Sequence, residues 1–484
     1  MIEKDLLEKV LNLALEKGGD FAEIYVEEKI NNSIICENNN VEKVNTGREK
    51  GAGIRVVNNG NTAYVYTNDL SEDGLLKAAS VVSRAGRAGV TRGVTRGTVL
   101  LVGPSGPDNE ITRRTVPLVT LRMPEDVPID DKVQAVLDAN KAARQIGEEI
   151  KQVTVAVADN HKKVLIANSE GELVEDERVR VRLAVNAVAA RQNMIQTGYE
   201  SAGGMTGWEL FDQVNPEDLA EKAANLAVKM LDARPAPAGS MPVVMSAQAG
   251  GTMVHEACGH GLEADLVQKG LSVYKGKMGE MVAAKGVTVI DDATLPGKFG
   301  SYRFDDEGVA AQRTVLIDNG QLVGYMYDRI TAAKDGVSPT GNGRRESYQH
   351  KPIPRMSNTA IAPGTDDPDE IIKSTEQGLL VKRMGGGQVN TTNGDFVFEV
   401  QEGYVIEAGE VKYAVRGATL IGNGPEALNN IDRVGNDQGF AIGTCGKDGQ
   451  GVPVADAQPT IRIKRLTVGG TSVAGPTIKS IRRR

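Results

Sequence analysis

The 484-residue chain has no uninterrupted run of 18 apolar residues, which argues against a membrane-spanning helix. It also lacks an excess of positive charge. Its 56 Lys and Arg stand against 64 Asp and Glu, and a net charge of −8 offers no global basic field to draw nucleic acid or an anionic membrane. Cysteine is scarce. Cys36, Cys258 and Cys445 are far apart and cannot all pair, and a chain of this size needs no disulfide staples, so a reducing cytoplasm is expected. No internal repeat stands out. Gly86, Gly89, Gly93 and Gly97 alternate with Arg87, Arg92 and Arg96, but the Gly-Lys-Ser/Thr of a phosphate loop does not follow. That stretch reads as a mobile, solvated connector. The charged start Met1 to Asp5 runs into an amphipathic pattern at Leu6, Leu7, Val10, Leu11 and Ala14, which reads as neither a signal peptide nor a membrane span.

The patterning that is present predicts an α+β protein of two domains, 1–235 and 236–484. In the first, hairpin-like runs flank Asn58-Asn59-Gly60-Asn61, and helical spacing covers Asp130 to Ile150. Strand-like segments follow at Val153 to Val157, Val164 to Ala167 and Val179 to Val188, which predicts helix laid on antiparallel sheet. Asn215-Pro216-Glu217-Asp218 is a strong helix start, with a cap, a first-turn proline and two acids. That helix should reach about Asp232, and Arg234 to Gly239 reads as a linker. Beyond it come a short apolar strand at Met241 to Ser246, a turn at Ala249 to Gly251 and a helix capped by Thr252. From Val287 onward strands and turns dominate, including Asp318-Asn319-Gly320 and Ala408-Gly409, so a mainly antiparallel sheet or barrel is expected.

Histidine is the most telling scarcity. Of four in the chain, two lie in His255-Glu256-Ala257-Cys258-Gly259-His260. In H-E-x-x-H sites two histidines four apart share a helix face and hold zinc, while the glutamate acts on a water. Here they are five apart. On a regular helix that spacing separates the imidazoles by about 140°, too far to share a metal. Either the motif is chance or the helix carries an extra residue, such as a π-type bulge eased by Gly259. A catalytic zinc site also needs a third protein ligand. Candidates are His350, Cys445, and carboxylates including Glu263 and Asp265. Cys445 is favoured because glycines surround it and Lys447 could help hold a thiolate, although by itself it also reads as a buried cysteine. Cys258 reads as packing. His350 reads as a surface or cleft histidine, His161 as a solvated turn residue, and Tyr325, Tyr327 and Asp328 as packing or substrate-binding groups. Asp305-Asp306-Glu307 reads as an acidic turn rather than a second metal site.

His255 to Leu262, Thr340 to Tyr348, Thr444 to Gln450 and Leu466 to Thr471 together resemble the TldD branch of the TldD/PmbA metallopeptidases. The likeness spans almost the whole chain and is strongest from Val243 to Thr471. It implies zinc held by His255, His260 and Cys445, with a metal-activated water and Glu256 as general base. It also implies hydrolysis of short or unfolded peptides by a cytoplasmic dimer, paired with itself or with a PmbA-like subunit; the charge balance and lack of long apolar runs predict no nucleic-acid or membrane partner. Imidazole and thiolate ligands accept iron as well as zinc. The residues point to no particular substrate-binding side chains. The competing reading is a non-catalytic assembly or chaperone-like subunit with a structural metal. The histidine spacing is also similar to that of dipeptidyl peptidase III, but no downstream Glu-Glu-x-x-Arg-Ala is present.

Overall fold

The computed structural model describes residues 2–86, 114, 115 and 120–470. The glycine- and arginine-rich connector predicted after Gly86 lies outside them. The first half of the chain builds one seven-stranded sheet. Its antiparallel strands run in the order Asn61–Thr67, Asn40–Asn58, Phe21–Glu37, Ile150–Asn168 and Leu173–Arg191, with Met194–Gly204 paired to the last. Side chains alternate across these strands, so each face has its own partner. One face buries Ile24, Ile54, Val155, Val157, Leu183 and Val185 under the helices Lys4–Leu15, Glu72–Gly86, Ile129–Arg144 and Pro216–Leu231. The other face meets the second half of the chain. The last of the four helices starts as its sequence predicts, with Asn215 accepting from the backbone N–H of Glu217 and Asp218 and Pro216 in the first turn.

Asp159-Asn160-His161-Lys162 departs from expectation. It has a turn composition, yet it sits in the middle of the 19-residue strand Ile150–Asn168. Partners from distant segments make extended structure affordable there. Asp159 is held by Lys132 and Asn32, Asn160 donates to Asn31, and both ring nitrogens of His161 meet carboxylates, those of Glu125 and Glu177. His161 is therefore buried and bridged instead of solvated.

In the second half, Gly239–Met245, Ile461–Gly469, Thr419–Asn423, Asp395–Glu407 and Gln377–Val389 pair in sequence, and the last pairs back to the first to close a five-stranded barrel. Its apolar core includes Val243, Met245, Leu379, Phe398 and Leu420, and joins Met253, Val254, Ala257 and Cys258 of the motif-bearing segment. A separate six-stranded sheet ends in the hairpin Gly439–Lys447 and Gln450–Gln458. Asp448 and Gly449, at φ 51° and 72°, form its two-residue turn, and Gly439–Lys447 is the edge strand.

Buried charges join the two halves. Arg55 bridges Glu23 at 2.8 Å and Glu307 at 2.6 Å, Arg345 reaches Glu23, and Arg178 holds Asp306 at 2.7 Å. The turn Asp305-Asp306-Glu307 is thus a fastening point. Burial opposes the charge of Asp306, but Arg178, Lys162 and Arg345 hold its carboxyl down to about 2. A carboxyl depressed in the folded state stabilises the fold above its ordinary value of 3.8, and that contribution disappears as pH falls to about 2. Asp305, held up by burial and by the charge of Glu307, acts in the opposite sense. Thermal melting followed across that window should therefore fall more steeply for the wild type than for Asp306→Asn; parallel curves would remove Asp306 from the account.

Candidate metal centre

The segment from Thr252 begins as a short α-helix, Thr252–Val254, and changes at His255 into a π turn that runs to Gly259. The backbone N–H of His260 bonds the carbonyl of His255, the i to i+5 link of π structure. The spacing conflict is resolved by that turn, because five residues now make about one full turn and both imidazoles face the same way. Their ring centroids lie 4.9 Å apart at 86°. Gly259 is itself helical, at φ −51° and ψ −59°. It contributes space, not flexibility: an added Cβ would overlap the Met356 sulfur. Nor does Thr252 cap the helix, since the cap position falls on Gly251 and no side chain bonds there.

Cys445 comes from the edge strand, 185 residues beyond His260, and its Sγ lies 3.4 Å from His260 Nε2. One ligand atom from each of His255, His260 and Cys445 lies within 4.8 Å of the others, a grouping that no other His, Cys, Asp or Glu joins among the described residues. The remaining ring nitrogens are fixed from behind. His255 Nδ1 donates to Asp456 at 2.9 Å and His260 Nδ1 donates to Glu263 at 3.1 Å, so each Nε2 is left free to bind. Burial would raise the Cys445 thiol, but hydrogen bonds and charge from His255 and His260 pull it down to about 5. A thiolate and two oriented imidazoles are a donor set that suits zinc, and the site fits the metal on these grounds.

Glu263 is not a ligand. It is buried, and although burial opposes its charge, Lys447, His260 and Arg355 hold its carboxyl at about 2. Lys447 bonds Asp265 at 2.6 Å and Glu263 at 3.1 Å, so it braces the carboxylates instead of the Cys445 thiolate. Cys258 donates to the Val254 carbonyl, and burial pushes its thiol up to about 12, as expected of a core residue. His350 bonds Ser347 and does not line the metal cleft. Tyr325 donates to the Tyr274 carbonyl, Tyr327 to Asp335, and Asp328 caps the helix Arg329–Asp335. Asp456 was not anticipated, though its signal was available: a carboxylate within the buried run Val454 to Gln458 needs a partner.

Glu256 lies on the π turn beside the first histidine and lines the same cleft, of about 660 Å³, as the three metal-binding side chains. Burial raises its carboxyl above the ordinary range, against the opposing pull of His255 and His260. The cleft is also lined by Gly386-Gly387-Gln388-Val389 of a bulged barrel strand and by Ala441 to Lys447.

Residues 238–470 match the PmbA/TldA metallopeptidase C-terminal domain, 122–231 the central domain and 22–86 domain 1. The chain belongs to the TldD/PmbA metallopeptidase family. A metalloprotease TldD homolog of Haemophilus influenzae is 36% identical over 96% of this chain and 95% of its own length. A zinc metalloprotease TldD homolog of Saccharolobus solfataricus is 28% identical over 96% of this chain and 99% of its own. The fold is shared with the crystal structure of TldE from Thermococcus kodakarensis, with a TM-score of 0.74 at 19% identity over 96% of this chain and 100% of that one. In this family frame, the carboxylates behind the histidines are testable parts of the metal site. Asp456→Asn should weaken metal binding by about 10–100-fold, as loss of such partners does elsewhere. A competitive chelator titration measures it, and an unchanged affinity would show that Asp456 does not orient His255.

Proposed function

We propose that this chain is a zinc-dependent peptidase acting on short or unfolded peptides, with Glu256 as its general base. The observation that carries this reading is the open donor set. His255, His260 and Cys445 converge on one point beside Glu256, and three protein ligands are the complement of a catalytic zinc, whereas a structural zinc is closed by four. When bound, zinc supplies Lewis acidity that polarises the peptide carbonyl and acidifies water. Glu256 accepts the proton of the attacking water and returns it to the leaving amine. Its partly buried carboxyl, held above the ordinary range, suits both steps. Asp456 and Glu263 keep the imidazoles oriented throughout. The thiolate of Cys445 offsets part of the metal's charge, which favours slow or selective hydrolysis over the rates reached with three neutral histidines.

The edge strand Gly439–Lys447 supports an extended substrate. Thr444 pairs with Pro453, which has no N–H to donate, so the ladder bonds fall on the flanking pairs. The N–H and C=O groups of Ile442, Thr444 and Gly446 therefore point outward, away from the partner strand. A peptide laid there as an added strand would be read through its backbone, which a folded protein cannot offer. The working state in this reading is a cytoplasmic dimer, with a second copy or a PmbA-like chain, acting on peptides and on neither nucleic acid nor membrane. No helix among the described residues is long and apolar enough to cross a membrane.

The test is metal removal. Purified protein is assayed for zinc and iron and for hydrolysis of an unstructured peptide mixture, before and after chelation and after return of each metal. Activity should vanish with the chelator and return with zinc. A protein that keeps its metal tightly, cleaves nothing and still associates with partners would be the structural-metal subunit instead.

A further inference from the structure

A second cavity, of about 630 Å³, lies between the two halves of the chain on the other side of the edge strand. It rests on the sheet face opposite the helices. In register there, Lys29 lies across from Lys162, and Lys162 across from Arg178; Asn31, Asn160 and Arg180 form the next row. Arg182 follows on the same strand face, two residues on. The acids that reach this cavity are already engaged: Asp306 by Arg178, Asp159 by Lys132, and Glu346 by the backbone N–H of Gly451. So are Lys162, by Glu27, and Arg345, by Glu23.

Four cations are left over. Among the described residues, Arg180 and Arg344 pair with no carboxylate although they are only 7% and 3% exposed. Arg180 donates to the carbonyls of Phe299 and Ser301, and Arg344 to those of Met356 and Pro453. Among the described residues, Arg182 bonds the Tyr199 hydroxyl alone, and its buried Nε has no partner. Lys29, which also lines the cavity, forms no ion pair among the described residues. Buried charge is costly, and although Asp306 and Asp176 offset part of it, burial together with Arg178 and Arg344 pulls the Arg180 guanidinium down to about 9. An anion entering the cavity would relieve that cost.

Thr444 connects the cavity to the metal centre, because it lines both. It is exposed on one face of its strand, and Cys445, the next residue, is buried on the other. Side chains of a peptide added to this edge alternate in the same way, so those beside Thr444 project away from the metal and towards the cations.

The geometry points to a specificity subsite: the Arg180, Arg182, Arg344 and Lys29 cavity receives a carboxylate of the bound peptide, from an acidic side chain or from the C-terminus. This rests on the peptidase reading and adds a preference to it. The test uses the full chain carrying Glu256→Gln, to permit binding without turnover, and four fluorescent versions of one unstructured peptide. These carry either Glu or Gln at an internal position and either a free or an amidated C-terminus. The carboxylate-bearing peptide should bind about tenfold more tightly than the fully neutral one, as expected for charge-assisted hydrogen bonds. Arg182→Gln and Lys29→Gln, at the less buried rim, should each cut that preference to about twofold or less without changing affinity for the neutral peptide. Sensitivity to amidation identifies the terminus as the ligand; sensitivity to Glu→Gln identifies the side chain. Equal binding of all four peptides would overturn the subsite, as would variants that keep the preference or lose both affinities alike. The peptidase reading fails separately, if the wild type hydrolyses none of the four.

Discussion

Glu256→Gln removes peptide hydrolysis and leaves the metal in place. The substitution keeps the shape of the side chain and its position on the π turn, but an amide cannot accept a proton from water. Glu256 is outside the group of three ligand atoms, so the metal should remain at wild-type stoichiometry. Loss of a positioned general base typically costs 10²–10⁴-fold, and turnover of an unstructured peptide should fall by at least about a hundredfold. Single-turnover rates and metal analysis on the same preparation separate the two effects. Cleavage at the wild-type rate would sink the assignment of Glu256, and loss of metal together with activity would make it a ligand or a support for one.

Cys445→Ser acts on the metal itself. The thiol is held near the thiolate state by two imidazoles, with its carboxylate-like charge available at neutral pH, whereas a serine hydroxyl remains neutral. Only two neutral ligands would be left. Because loss of a partner behind a ligand already costs 10–100-fold, loss of the ligand should exceed about a hundredfold in metal affinity. Activity should then depend on added zinc, or vanish. The fold should be spared, since the residue lies on an edge strand and the swap is small. Competition with a chromophoric chelator measures affinity, and thermal melting checks the fold. Unchanged zinc affinity would mean that the third ligand lies elsewhere.

Much of the site was legible because its signals are local. Five-residue histidine spacing forces a π turn if the imidazoles are to meet, and the turn is there. Asn215-Pro216 starts a helix, and Asn319-Gly320 and Ala408-Gly409 take positive φ between strands. Each depends on a few neighbouring residues, where backbone sterics and caps decide the outcome. Local preference fails where distant partners overrule it. Asp159 to Lys162 looks like a turn until Lys132, Asn32, Glu125 and Glu177 arrive to satisfy it. Lys447 looks like a support for Cys445 until Asp265 and Glu263 claim its ammonium.

The sequence by itself determined the kinds of ligand, the strain in their spacing and the family. The tertiary structure decided which cysteine completes the centre and which carboxylates aim the histidines. It also decided that three strands would stack their cations on one face beside the metal cleft. The reason is physical: spacing along a chain sets which way neighbouring side chains point, but only sheet order and barrel closure bring residues 185 and 201 positions apart within bonding distance.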